Sequence, residues 1–305
     1  MKSENTSAMH SPLASPKTSI EVLQAFGLYT KKRLGQHFLI DDNVIARILE
    51  AADLREDDQV LEIGPGIGVL TLALIQQAGR VLALEYDEQL LEVLSFTVQK
   101  YQGSVADRLE ILHEDALNIP QLELPLQPAK LIANLPYQVA ATNVLDCFEY
   151  LPSVMQATVM VQKEVAQRMA AKPGTKAYGA YSVKLQLLAC PVACFDVSRN
   201  SFLPPPRVDS SVITLKRRSA EEGLVDCLSH YREVARLVDA SFAQRRKTIL
   251  NNLKASQIVL DCENEGEGEP PDWTNILLSA DIDPRTRAEV LNPPDFVRLH
   301  ASLMT

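Results

Sequence analysis

Val60-Leu61-Glu62-Ile63-Gly64-Pro65-Gly66-Ile67-Gly68 is the stretch that decides the fold. A short apolar run breaks into a glycine-rich turn, and Val69-Leu70-Thr71-Leu72-Ala73-Leu74-Ile75 follows with good helix formers up to Gly79. Strand, tight turn and helix in that order open a β-α-β unit. Working outward, Arg80 to Tyr86 reads as a second strand. Glu88 to about Lys100 reads as a helix, with Leu90, Leu91, Val93, Leu94 and Val98 at helical spacing. Leu109 to Asp115, Ala129 to Asn134 and Ala157 to Val161 supply three further strands. Short apolar strands joined by helical crossovers imply an α/β fold with a mostly parallel sheet buried on both faces. Ligands of such sheets sit beyond the carboxyl ends of the strands. Gly64, Glu85, Asp115 and Asn134 lie at four successive strand ends, so one pocket is expected.

Beyond Val212-Ile213-Thr214-Leu215, a late strand, the pattern changes. Val225 to Leu253 reads as helical and contains Arg245-Arg246-Lys247. An acidic loop, Asp261 to Asp272, precedes two shorter helical stretches that reach Leu303. The expected organisation is a flexible N-terminal extension over residues 1–19, an α/β domain over 20–215 and a smaller all-α domain over 216–305.

Composition narrows the class. With 46% hydrophobic and 23% charged residues in 305, a disordered, collagen-like or coiled-coil chain is excluded. No apolar run approaches the ~20 residues of a membrane span, and the polar first residues lack the apolar core of a signal peptide. Five scattered cysteines without a CxxC pair argue against a cysteine zinc site and for thiols in a reducing cytoplasm; no metal is expected. The net charge of −9 argues at face value against a nucleic-acid partner. Its distribution points the other way, because residues 196–260 carry 11 basic and 7 acidic side chains. Lys31-Lys32-Arg33, Lys216-Arg217-Arg218 and Arg245-Arg246-Lys247 are candidates for contact with an RNA backbone.

The glycine turn is neither a dinucleotide fingerprint, since Val69 stands where the third glycine belongs, nor a P-loop, since no Gly-Lys-Ser/Thr follows. Pro65 also removes an N–H from any phosphate cradle. Such a loop suits a nucleoside without phosphates, such as S-adenosylmethionine. Glu85, 21 residues after Gly64, can accept both hydroxyls of a ribose, and Asp115 can accept from an adenine amine. Asn134-Leu135-Pro136-Tyr137 carries the chemistry. The Asn134 side-chain oxygen and the Leu135 carbonyl can draw on the hydrogens of an aromatic amine and localise its lone pair. Pro136 stiffens the turn, and Tyr137 can stack on an extruded base.

With these segments in order, the chain resembles the ribosomal RNA adenine dimethyltransferases of the small subunit from about Ile20 onward. The matching motifs are Lys31 to Leu39, Glu62 to Gly68, Asn134 to Tyr137, Gln162-Lys163-Glu164-Val165, Phe202 to Ser210 and Ala240 to Lys247. The resemblance implies a Rossmann-like methyltransferase domain with S-adenosylmethionine as cofactor. It also implies two methyl transfers to the N6 amine of each of two adjacent adenosines near the RNA 3′ end. The expected partners are small-subunit ribosomal RNA and the immature small subunit, with the enzyme acting as a monomer. By the same resemblance His37, Leu39, Gly64, Glu85, Asp115 and Asn134 hold the cofactor. Asn134, Leu135, Pro136 and Tyr137 form the catalytic set, Phe202 is a second aromatic closing on the base, and Arg207 joins the RNA-binding residues. His37 stands where many members have Asn. The competing readings are a DNA adenine methyltransferase and a non-catalytic assembly or nucleic-acid-binding factor.

Overall fold

The computed structural model describes residues 10–28, 37–219, 224–225, 228–256 and 271–304. Two compact units emerge, the described residues of Met1–Ala166 with Pro191–Lys216, and those of Gln167–Cys190 with Arg217–Thr305.

In chain order the elements up to the sheet's centre are α1 (Pro16–Ala25), β1 (Phe38–Leu39), α2 (Asp42–Ala52), β2 (Gln59–Ile63), α3 (Val69–Gln77), β3 (Arg80–Glu85), α4 (Glu88–Gln102), β4 (Leu109–His113) and β5 (Lys130–Asn134). Then come α5 (Ala140–Tyr150), β6 (Gln156–Gln162), α6 (Lys163–Met169), α7 (Ala180–Leu188), β7 (Ala189–Val197), β8 (Phe202–Leu203) and β9 (Ser210–Arg217). The main sheet runs β4-β3-β2-β5-β6-β9-β7. Pairings from β4 through β6 are parallel, and β9 joins β6 antiparallel. A small ribbon pairs β1 with β8, setting Leu39 opposite Phe202.

Burial explains the apolar runs. All of Val60 to Ile63 is buried, and so is all of Val81 to Glu85. Helix α3 is buried at every position from Val69 to Ile75. A helix enclosed all round needs no polar face, which is why its sequence lacks amphipathic spacing. Asp41 and Asp87 cap α2 and α4 by accepting from the N–H groups of Asn43 and Gln89. Because β2 has β3 on one side and β5 on the other, the strand order reverses there, and a crevice opens above their carboxyl ends.

Several expectations need correction. Residues 10–19 are not a flexible extension. Leu13 is 0% exposed, the Ser19 hydroxyl donates to its carbonyl at 2.7 Å, and Asp42 accepts from the N–H groups of His10 and Ser11. Residues 1–9 lie outside the described residues. The segment 167–190 groups with the C-terminal unit, not with the α/β unit. Tyr178 ties it there, donating its hydroxyl to the Leu291 carbonyl at 2.8 Å. The expected helix from Val225 to Leu253 is two helices, α8 (Leu228–Ser241) and α9 (Ile249–Ala255). The basic triplet sits in the turn between them, where Thr248 caps α9. With α10 (Trp273–Ser279) and α11 (Pro293–Leu303) these enclose Tyr231, Leu237, Leu253, Leu277 and Phe296. Of the acidic loop only Pro271 and Asp272 are described, and Asp272 caps α10. No described helix is long and apolar enough to cross a membrane.

Candidate active site

The crevice is a cavity of about 550 Å³. Its lining brings together His37, Leu39, Gly64, Glu85, Asp115, Asn134, Leu135, Pro136 and Tyr137, nine residues singled out from the sequence. The segments that carry them are far apart along the chain, and the sheet alone makes them neighbours.

The glycine loop folds as its composition requires. Gly64 and Gly66 have φ of +68° and +61°, a left-handed region that favours glycine. A Cβ at Gly64 would also meet the Pro136 ring at 3.3 Å, and one at Gly66 the Phe38 ring at 3.2 Å. The loop's amides are committed internally. Gly64 N–H donates to Leu84, Gly68 N–H donates to Pro65, and Gly66 N–H donates to the Glu85 carboxylate at 3.1 Å. Pro65 has none to give. A loop with its N–H groups spent this way does not cradle a phosphate.

Glu85 uses one carboxylate oxygen for Gly66 and the other for the N–H of Asp87 at 2.9 Å. Burial holds its pKa above the usual carboxylate range, against the pull of these two hydrogen bonds. Asp115 lies two residues past the end of β4. It caps the short helical turn that follows, accepting from Leu117 N–H at 2.9 Å.

Asn134 ends β5, and its Nδ2 donates to the His37 backbone carbonyl at 3.3 Å. A carbonyl only accepts, so the nitrogen must face it and Oδ1 takes the opposite direction. Tyr137 shares a 2.7 Å hydrogen bond with the Ser210 hydroxyl, and burial raises the pKa of its phenol. The His37 ring stacks on Tyr137 with centroids 5.7 Å apart and planes 28° from parallel. His37 Nδ1 donates to the Pro204 carbonyl at 2.7 Å.

Phe202 departs from expectation. It is 1% exposed and absent from the cavity wall. Its place opposite Leu39 in the β1–β8 ribbon turns it into the apolar cluster with Leu39, Val197 and Val212. The aromatic partner of Tyr137 in the cavity is His37 instead.

Four wall residues are not marked as site residues by the sequence. Glu62 is buried at the end of β2, Tyr86 is 67% exposed beside Glu85, Gln162 ends β6, and Asn143 is buried on α5 with neither amide atom paired. A signal for Glu62 existed, since a carboxylate inside a strand buried on both faces is anomalous.

The basic candidates divide. Lys31, Lys32 and Arg33 lie outside the described residues. Arg207, Lys216, Arg246 and Lys247 are exposed, and Arg217 is half-buried. Arg218 donates through Nε to the Gln186 carbonyl at 2.8 Å. Arg245 pairs with Glu289 at 3.2 Å and donates to the Lys176 carbonyl at 2.8 Å.

Comparison with known proteins agrees with this geometry. Residues 27–261 match the family described as ribosomal RNA adenine dimethylase. The chain is 39% identical to a ribosomal RNA small subunit methyltransferase A of Rhodococcus erythropolis, over 94% of this chain and 96% of that one. Against the protein of the same name from Geobacillus thermodenitrificans it is 38% identical, over 97% and 98%. Among solved structures, a dimethyladenosine transferase from Plasmodium falciparum aligns with a TM-score of 0.68 at 25% identity, covering 86% of this chain and 96% of that one. The 23S rRNA methyltransferase ErmE aligns at 0.63 and 26% identity, covering 88% and 100%. The chain belongs to the ribosomal RNA adenine dimethylase family of methyltransferases.

Proposed function

We propose that this protein dimethylates the N6 amines of two adjacent adenosines near the 3′ end of small-subunit ribosomal RNA, with S-adenosylmethionine as methyl donor. One observation carries the reading. The Asn134-Leu135-Pro136-Tyr137 turn opens into the same cavity as a glycine loop whose amides are already spent.

The residues present fit a nucleoside with a cationic tail. Glu62, Glu85, Asp87, Glu114 and Asp115 line the cavity, and among the described lining residues there is no Lys or Arg to hold a phosphate. Glu85 is the acceptor for ribose hydroxyls and Asp115 for the adenine amine. Leu39 and Gly64 offer backbone, and His37 borders the donor from the β1 side. When bound, the donor supplies an electrophilic methyl group on a sulfonium.

This chain's own residues prepare the nucleophile. The lone pair of an aromatic amine is delocalised into its ring and attacks poorly. Asn134 Oδ1 and the Leu135 carbonyl accept the two amine hydrogens, which favours the tetrahedral nitrogen that localises the pair. Tyr137, its hydroxyl held by Ser210, supplies the face on which the flipped adenine stacks. The nitrogen becomes acidic once methylated, so its proton leaves without a strong base. His37, its Nδ1 held by the Pro204 carbonyl, is a wall of the site and not a base.

Outside the cavity, Lys31, Lys32, Arg33, Arg207, Lys216, Arg217, Arg218, Arg245, Arg246 and Lys247 are the proposed contacts to RNA phosphates. We place the reaction on the immature small subunit in the cytoplasm, carried out by a monomer. The test is to incubate the protein and labelled donor with immature small subunits, naked ribosomal RNA and DNA, then identify the modified base. Dimethyladenosine pairs in the ribosomal RNA support the reading. Label in DNA, or none in any substrate, overturns it.

A further inference from the structure

Of the five carboxylates on the cavity wall, Glu85, Asp87 and Asp115 hold backbone N–H groups. Glu62 has no such task. It is 1% exposed at the end of β2, and its Oε2 lacks any hydrogen-bond partner. The Thr71 hydroxyl of α3 lies beside it, yet Thr71 Oγ1 also lacks a partner of hydrogen-bonding geometry. Burial pushes the Glu62 carboxyl up to about 8, with Thr71 easing the rise and Glu85 of β3 adding to it. The other ionisable groups on the wall are Asp87, Glu114, Asp115, His37 and the Tyr137 phenol. No lysine or arginine among the described lining residues balances Glu62. A buried carboxyl in an acidic wall, unpaired, is held neutral until a cation arrives.

We propose that Glu62 is the counter-ion for the cationic portion of the methyl donor and releases its proton to solvent as the donor binds. This rests on the reading of the cavity as a methyl-donor site. S-adenosylmethionine carries two cations, a sulfonium and an ammonium. S-adenosylhomocysteine keeps only the ammonium, and 5′-methylthioadenosine has neither. Binding that expels one proton strengthens by about tenfold per pH unit until the free carboxyl is itself ionised, and then levels off.

Calorimetric titration at pH 7, in buffers of different ionisation enthalpy, counts the protons released. S-adenosylmethionine is expected to release nearly one and 5′-methylthioadenosine none. Release with S-adenosylhomocysteine assigns the partner as the ammonium, and no release with it assigns the sulfonium. Glu62→Gln keeps the shape of the neutral acid and should release none, with donor affinity losing the Glu62 share of its pH dependence between pH 6 and 8. Because both proteins meet the same ligand, their difference isolates Glu62 from the ligand's own amine. Carbon-13 NMR of the wild-type glutamate carboxyls gives a readout without a variant, a midpoint near 8 that donor moves below 7. Equal proton release by wild type and Glu62→Gln, or a midpoint that donor leaves in place, overturns the inference. Tight donor binding without proton release sinks the role of Glu62 alone, whereas a wild-type protein that binds no donor sinks the methyl-donor reading beneath it.

Discussion

The side-chain nitrogen of Asn134 donates to the backbone carbonyl of His37 across 3.3 Å, joining the tip of β5 to the start of the β1 segment. That bond fixes which end of the amide is the acceptor. Asn134→Ala removes the acceptor and should cut single-turnover methyl transfer by about a hundredfold or more, the scale of losing one preorganised transition-state contact. Asn134→Asp sets an oxygen against the His37 carbonyl and should be as damaging despite its equal size. Far-ultraviolet circular dichroism should show the fold unchanged in both. Full transfer by the alanine variant would remove Asn134 from the mechanism.

Tyr137 separates two roles that one substitution would confuse. Tyr137→Phe loses only the bond to Ser210, worth about 0.5–1.5 kcal/mol of stability, and keeps the stacking face. Its transfer rate should stay within a few-fold of wild type. Tyr137→Ala loses stacking worth about 1–3 kcal/mol, so the KM for RNA should rise at least about fivefold while donor affinity holds. Equal behaviour of the two variants in steady-state kinetics would show that the hydroxyl, not the ring, matters.

Much of this site is legible in the sequence because β-strand ends are legible. Gly64, Glu85, Asp115 and Asn134 stand where apolar runs stop, and a parallel sheet gathers such ends on one edge. Side-chain direction is not legible to the same degree. Phe202 lies in the motif that marks the family, yet the two-residue pairing of Leu39 with Phe202 turns its ring into the core. Nothing local in Phe202-Leu203-Pro204 announces that register. The N-terminal segment misleads for a related reason. Leu13 and Ser19 look like residues of a polar tail until tertiary contacts bury them. The break at Arg245-Arg246-Lys247 is hidden because its residues are good helix formers, and the cap at Thr248 outweighs their propensity.

Glu62 makes the stability of the ligand-free protein depend on pH in a stated direction. Its carboxyl is raised to about 8 in the fold, from 4.5 as its ordinary value. Between those limits the folded chain keeps a proton that the unfolded chain has released. The Glu62 contribution to stability is therefore full below pH 4.5, declines as pH rises towards about 8, and is lost above it. Within that window the slope from this one group is at most about 1.4 kcal/mol per pH unit. Urea unfolding of wild type and Glu62→Gln across pH 5 to 9 checks it, the glutamine variant losing the decline. Parallel curves for the two proteins would mean that Glu62 ionises as an ordinary carboxylate.

The basic turn between α8 and α9 contains two kinds of arginine. Arg245 is engaged with Glu289 and the Lys176 carbonyl, whereas Arg246 and Lys247 are exposed. Phosphate contacts made by the latter pair should appear as counterion release. Removing both as Arg246→Ala with Lys247→Ala should weaken binding to immature small subunits and lower the slope of log affinity against log salt by about 1.4 to 1.8. Arg245→Ala breaks a surface pair worth at most about 1 kcal/mol and a hydrogen bond to the Lys176 carbonyl, so its main effect should be on thermal stability. Filter binding over a range of salt, alongside thermal melts, distinguishes these outcomes. An unchanged salt slope in the double variant would take the turn off the RNA-binding surface, since a solvated charge contributes nothing to counterion release.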